Sequence, residues 1–130
     1  MKVVIYFIVF FLISFQCYSK WEKIHEDKIF TEYLEVDTVN KVNDIIFIWS
    51  LIDYKEPQKN GNLSTKYYSK YDCNLQRYII LSIIEYETDM GRGRKFTYKK
   101  NMSNEEEKNN WTYIKPNSEE YSSLKILCNN

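Results

Sequence analysis

"IIFIWSLIDY", residues 45–54, decides the fold. β-Branched and aromatic residues fill it. Both alternating faces are apolar, with Ile45, Phe47, Trp49 and Leu51 on one and Ile46, Ile48 and Ile52 on the other. Hydrophobicity alone admits a helix. The isoleucines and the short length favour a central strand. "RYIILSIIEYE", residues 77–87, has the same character and is expected as a second central strand. Between them "LSTKYYSKYDC", residues 63–73, alternates. Tyr67, Ser69, Tyr71 and Cys73 share one side, and Lys66, Tyr68, Lys70 and Asp72 the other. This fits a strand with one solvated face. "KEPQKNGN" and "NLQ" supply the turns on either side of it.

Outward from this centre the segments shorten. "WEKIH" and "TEYLEVD" read as short strands joined at "EDK", and "VNKVND" as a link. "TDMGRGR" is a glycine turn, where Gly91 and Gly93 can supply positive φ. "KFTYKK" is an expected edge strand, "NMSNEEEKNN" a polar loop, and "WTYIKP" a short extended piece ended by Pro116. After Pro116 the period changes. Asn117 or Ser118 can act as N-cap, Glu119 and Glu120 fall in the first turn, and Tyr121, Leu124 and Leu127 recur every three residues. These features predict a short C-terminal helix. The expected class is α+β: an antiparallel meander of about six strands with one C-terminal helix packed on it.

The N-terminus has the pattern of a secretory signal. Lys2 is followed by an apolar run from Val3 to Phe15 in which Ser14 is the only aliphatic hydroxyl and no residue is charged. About thirteen residues suit a signal core better than a membrane span, which needs about twenty. Cleavage after Ser19 places small residues, Ser19 and Cys17, at the positions that the processing enzyme reads. The rival is lipid attachment at Cys17. A bulky Gln16 precedes it, and Phe15 precedes that, so simple cleavage is favoured. The expected organisation is a signal peptide over 1–19 and a single domain over 20–130.

Cys73 and Cys128 then remain in an exported chain. One bridge between them is the simplest state in an oxidising compartment; two buried thiols are the alternative. Removing residues 1–19 takes away Lys2 alone among the charged groups, so 17 basic side chains face 18 acidic ones. Such a balance predicts no nucleic-acid partner.

Chemistry requires a constellation, and the sequence offers none. His25 is the only histidine. Beside Glu26 and Asp27 it reads as a surface residue rather than an acid–base or metal group. "GRGR" lacks the pattern of a phosphate loop. Asp53, Asp72 and Asp89 are scattered, and Asp53, directly after a strand, reads as a hydrogen-bonded strand-end residue. No catalytic residue, metal ligand or cofactor is therefore assigned. The most distinctive surface signal is "GRGRKFTYKK", residues 91–100, in which Phe96 and Tyr98 interleave with bases and no acid occurs. Arg92, Arg94, Lys95, Lys99 and Lys100 are the candidate contact residues for an acidic protein segment, a polyanionic polysaccharide or lipid headgroups. The plainer reading is an edge strand guarded by lysines against aggregation. Trp49 reads as core, while Trp21 and Trp111, at segment ends, can cover the sheet; core is favoured over an exposed aromatic contact patch for the set. An exposed edge also admits a homodimer.

Taken together, Trp21, "SLIDYKEPQ", "YDCNLQRYIILS", "MGRG", "WTYIKPNS" and Cys128, in this order, resemble the surface-adhesin protein E family of exported bacterial proteins. The resemblance implies an antiparallel sheet with a C-terminal helix and a Cys73–Cys128 disulfide. It implies export to the periplasm or cell surface of a Gram-negative bacterium. It also implies non-catalytic binding of a macromolecular partner such as a host extracellular-matrix protein. A periplasmic envelope accessory or inhibitor protein is the alternative. The sequence departs from the family pattern in lacking a small residue before Cys17 and in carrying two arginines in its glycine turn.

These readings predict that protein purified from its own cells starts at Lys20 and gains two labelled thiols only after reduction. Intact-mass spectrometry with alkylation checks both; an acylated start at Cys17 would show anchoring instead.

Overall fold

The computed structural model describes residues 20–99 and 103–129. The expected signal segment and Lys100 lie outside them. Eight strands form one antiparallel sheet: β1 (Trp21–Glu26), β2 (Phe30–Glu35), β3 (Asn40–Val42), β4 (Ile45–Tyr54), β5 (Ser64–Asp72), β6 (Arg77–Tyr86), β7 (Lys95–Lys99) and β8 (Thr112–Tyr113). Six of them run in the order β1-β2-β4-β5-β6-β7, the expected meander. Two short strands are additional. β3 forms a hairpin with the start of β4 inside the segment read as a link, and β8 pairs with Arg77 and Tyr78 of β6. A three-residue strand with all its side chains exposed leaves no alternation to detect.

Among the described residues two α-helices complete the fold: α1 (Asn104–Asn109) and α2 (Glu119–Cys128). α1 lies in the expected polar loop. It buries no residue, so no apolar stripe betrayed it. A capping box holds it instead: the Ser103 side chain accepts from the Glu106 N–H, and the Glu106 carboxylate accepts from the Ser103 N–H. The S-x-x-E spacing was the signal available in the sequence. α2 starts after Ser118 as expected, with Glu119 and Glu120 in its first turn.

α2 covers one face of the sheet. Leu124 and Leu127 pack with Leu34, Ile46, Ile48, Tyr71 and Ile114 to form the core. Leu34, Ile46 and Ile48 are 0% exposed. Cys73, directly after β5, is bonded to Cys128 at the end of α2, with an S–S distance of 2.04 Å. A ten-residue helix is marginal alone. The bridge and the leucine stripe hold it down.

The strand register places Phe47, Trp49 and Leu51 on the opposite face, beside Lys66, Tyr68 and Lys70 of β5. No helix of comparable length covers that side among the described residues. Trp49, expected in the core, is therefore only half-buried there. The reading failed because β4 is apolar on both faces while the fold supplies a helix for only one. Leu51 is the exception, at 0% exposure. The turn at Asp89–Gly91 packs on β4 and β5 at this end of the sheet. Asp53 Oδ1 accepts from the Met90 N–H at 2.8 Å, and Ser64 Oγ accepts from the Gly91 N–H at 2.9 Å. Asp53 is thus the hydrogen-bonded strand-end residue that its position suggested. Gly91 and Gly93 have φ of 65° and 80°, as a glycine turn requires.

The bridge closes a loop whose ends are 55 residues apart in sequence. Chain entropy gives it about 4 kcal/mol, an upper figure. Replacing Cys73 and Cys128 by alanine is expected to lower unfolding stability by about 2–4 kcal/mol. Denaturant titration of the variant against the oxidised protein measures the difference.

Candidate functional site

The uncovered face of the sheet carries a layer of aromatic rings and cations. Lys66 of β5 extends its Nζ over the Trp21 ring of β1 and the Tyr86 ring of β6, at 5.1 and 5.4 Å from their centroids. Burial pushes the Lys66 ammonium below the usual lysine range. Lys70 lies over Phe47 and Trp111, and Arg77 stacks over Trp111 at 4.3 Å. Trp49 and Phe47 flank Tyr68 at 5.0 and 6.3 Å. Rings and cations alternate because each β5 lysine sits opposite a β4 apolar residue: Leu51 faces Lys66, and Phe47 faces Lys70. Lysine stems cover the rings and keep their charge outward.

Both ends of this face are closed. The Asp89–Gly91 turn closes one, pressed so near Lys66 that a Cβ on Gly91 would sit 2.4 Å from Lys66 Cε. At the other end α1 sends Glu107 to an ion pair with Lys70, and Trp111 lies over Lys70 and Arg77. Arg77 in turn donates to Asp72 at 3.0 Å. The expectation that Trp21 and Trp111 cover the sheet is met. They cover this face, not the core.

The basic stretch at 91–100 is differently placed. Arg92 pairs with Asp89 at 2.6 Å, and Arg94 pairs with Glu87. Both arginines are neutralised within their own turn. Phe96 and Tyr98 of β7 are exposed, and Arg94 lies over Phe96 at 5.7 Å. Lys95 and Lys99 bound β7. Two acids of the following helix are engaged elsewhere. Glu107 goes to Lys70, and Glu106 closes the capping box.

A second concave region lies between the sheet and the start of α2. Glu32 of β2 projects from the core-side face with Ser50, Ile52, Ser69 and Tyr71, and Glu119 and Glu120 stand at its rim. The cleft has a volume of about 220 Å³. Burial pushes the Glu32 carboxyl up to about 7, and Glu119 and Glu120 add to the rise while His25 opposes it. Tyr71, 6% exposed, is held neutral by burial and by the charges of Glu32 and Glu120. None of this cleft was legible as a site. Glu32 alternates innocently in "TEYLEVD", and its neighbours come from four other elements.

His25, read as a surface residue, is half-buried. Its ring lies 5.5 Å from that of Phe30, and its Nε2 is 3.8 Å from Asp27 Oδ2. Asp27 Oδ1 accepts from the Ile29 and Phe30 N–H groups at 2.7 and 2.8 Å, which keeps Asp27 below the usual carboxylate range. His25, Asp27 and Glu119 bring ligand-type atoms within 4.8 Å of one another, the only such grouping among the described residues. The same geometry serves as an ion-pair set for a protonated imidazole. Asp53, Asp72 and Asp89 do not form a centre: they are engaged by Met90, Arg77 and Arg92 respectively.

Fold and faces together define a small antiparallel sheet covered by a helix on one side only. The family profile described as "Surface-adhesin protein E" matches residues 21–129. The chain belongs to this family. Among solved structures, crystal form II of Haemophilus influenzae protein E superposes with a TM-score of 0.64 at 15% identity, covering 88% of this chain and 91% of that one. Protein E from non-typeable Haemophilus influenzae gives a TM-score of 0.61 at 16% identity, covering 89% and 80%. No curated protein sequence matches the chain. The helix-on-meander fold is thus that of protein E, as the sequence resemblance implied.

Glu32 generates a pH-dependent stability. Its folded-state value of about 7 is raised from 4.5. Its contribution is complete below pH 4.5 and is lost as pH rises through 7. Glu32→Gln is expected to be more stable than the parent at pH 8, by up to about 3 kcal/mol, and indistinguishable at pH 4. Denaturant curves at the two pH values check the sign.

Proposed function

We propose that the protein is an exported, non-catalytic binding protein of a Gram-negative bacterium. It would be presented at the cell surface, where it adheres to a protein partner such as a host extracellular-matrix protein. The observation that carries this reading is the family match across 21–129. The uncovered sheet face supports it in physical terms. Trp21, Trp49, Tyr68 and Trp111 are large rings of the kind that dominate protein contacts. Lys66, half-buried between two rings, offers a positive charge to an acidic partner group. Adhesion here is surface complementarity, and no bond is made or broken.

The basic residues Arg92, Arg94, Lys95, Lys99 and Lys100 form the secondary contact in this proposal. Arg92 and Arg94 already hold acids, so they contribute less than their charge suggests. Export rests on the apolar segment before Ser19, with Cys17 removed by cleavage. A periplasmic accessory or inhibitor protein remains the second reading. It is favoured by the unsuitable residue before Cys17, which argues against a lipid anchor.

Two measurements test the proposal. Protease treatment of whole cells is expected to cleave the protein. Binding of the purified domain to a panel of immobilised extracellular-matrix proteins is expected to fall at least tenfold in a Trp21→Ala, Trp111→Ala double variant with an intact circular dichroism spectrum. Charge reversal at the five basic residues is expected to weaken binding less than that. Protection from protease on whole cells, together with an envelope protein recovered by crosslinking, would favour the periplasmic reading.

A further inference from the structure

The aromatic face does not account for the cleft beneath the start of α2. Three carboxylates converge there with no basic side chain in hydrogen-bonding reach of Glu32 among the described residues. Glu32 comes from β2, and Glu119 and Glu120 from the first turn of α2. An isolated carboxylate in such a place is expensive, and evolution of a stable core would replace it with an apolar residue. A second polar group is also left over. Tyr71 is 6% exposed and lines the cleft, yet its hydroxyl has no hydrogen-bond partner among the described residues. Tyr71 shares the lining of the cleft with Glu32 and Glu120. The wall between rim and floor is apolar, built by Phe30, Ile52 and Ile80.

We propose that this cleft is a binding site for an alkylammonium group, the side chain of a lysine presented by a polypeptide partner. The geometry matches the group in each part. Phe30, Ile52 and Ile80 accept a methylene stem. Glu32, with Glu120 at the rim, accepts from the ammonium, and the Tyr71 hydroxyl can accept a third hydrogen bond. A lysine ammonium carries three donors and no acceptor, which complements this acceptor-rich floor. The site stands on its own geometry and does not depend on the adhesive face described above.

Binding is coupled to protonation. The ionisable groups facing Glu32 are His25 from β1, Tyr71 from β5, Tyr78 from β6, and Glu119 and Glu120 from α2. An incoming cation favours ionised Glu32, so affinity rises with pH through the neutral range and falls in acid, where Glu32 is protonated.

The test is a two-dimensional NMR titration of the disulfide-bonded domain with the blocked tripeptide acetyl-Gly-Lys-Gly-amide. The same titration is run with its norleucine isostere and with cadaverine. Expected are saturable shifts at Glu32, Tyr71 and Tyr78 with the lysine peptide at pH 8, at least fivefold weaker binding at pH 5.5, and none with the norleucine peptide. Glu32→Gln and Glu120→Gln, each with an otherwise parental spectrum, are expected to weaken binding at least fivefold. Equal shifts with the norleucine peptide, unchanged binding by both variants, or no saturable shift at pH 8 would overturn the proposal. Tighter binding of cadaverine than of the peptide would overturn the assignment to a polypeptide and leave a small polyamine in its place.

Discussion

One short helix must cover a sheet of six long-range-paired strands, and it can cover only one side. The remaining architecture answers this constraint. The core is confined to the face where Leu124 and Leu127 meet Ile46 and Ile48. A helix of this length has little stability of its own, so its position depends on a covalent tie to the end of β5. The tie fixes where α2 ends, and its first turn consequently overhangs β2. Placement of the acidic cleft follows directly from the length of the helix and the site of its anchor.

The other face has to solve the same solvent problem without a helix. It does so with amphipathic side chains. Lysine stems lie across tryptophan and tyrosine rings, so apolar area is reduced while ammonium groups stay hydrated. Short pieces of chain close the ends: the Asp89–Gly91 turn over Leu51 and Lys66, and α1 with Trp111 over Lys70. A layer assembled in this way is less deeply buried than a core. Nine of the twelve tyrosines of the sequence lie in strands of the sheet and have a matching rationale. A sheet covered on one side needs residues that tolerate both packing and water.

Much of this was legible in the sequence, for identifiable reasons. Long β-branched runs in β4 and β6 announced central strands, and the change of period after Pro116 announced α2. The meander followed from these, while the cysteine pair was expected from export and from the family resemblance. What was hidden depended on more than one element at once. β3 and α1 carry no apolar pattern and are held by pairing and by a capping box. Trp49 was misplaced because a strand apolar on both faces does not reveal which face is covered. The basic run at 91–100 looked uncompensated because its acids, Glu87 and Asp89, precede it in the chain and only the turn brings them back. Glu32 was invisible as a site residue, since nothing in "TEYLEVD" says that Glu119, far along the chain, will stand above it.

The order of elements along the chain has a consequence for how the molecule comes into being. Every strand of the meander precedes α2, so during synthesis the sheet emerges before its lid. Ile46, Ile48 and Leu34 then form an uncovered hydrophobic surface on a sheet with free edges, a state that invites intermolecular pairing. The lysines of the outer face and the charged β7 edge are already present in that intermediate. Closure of the core waits for the helix, and the Cys73–Cys128 bond can form only after its last turn is in place.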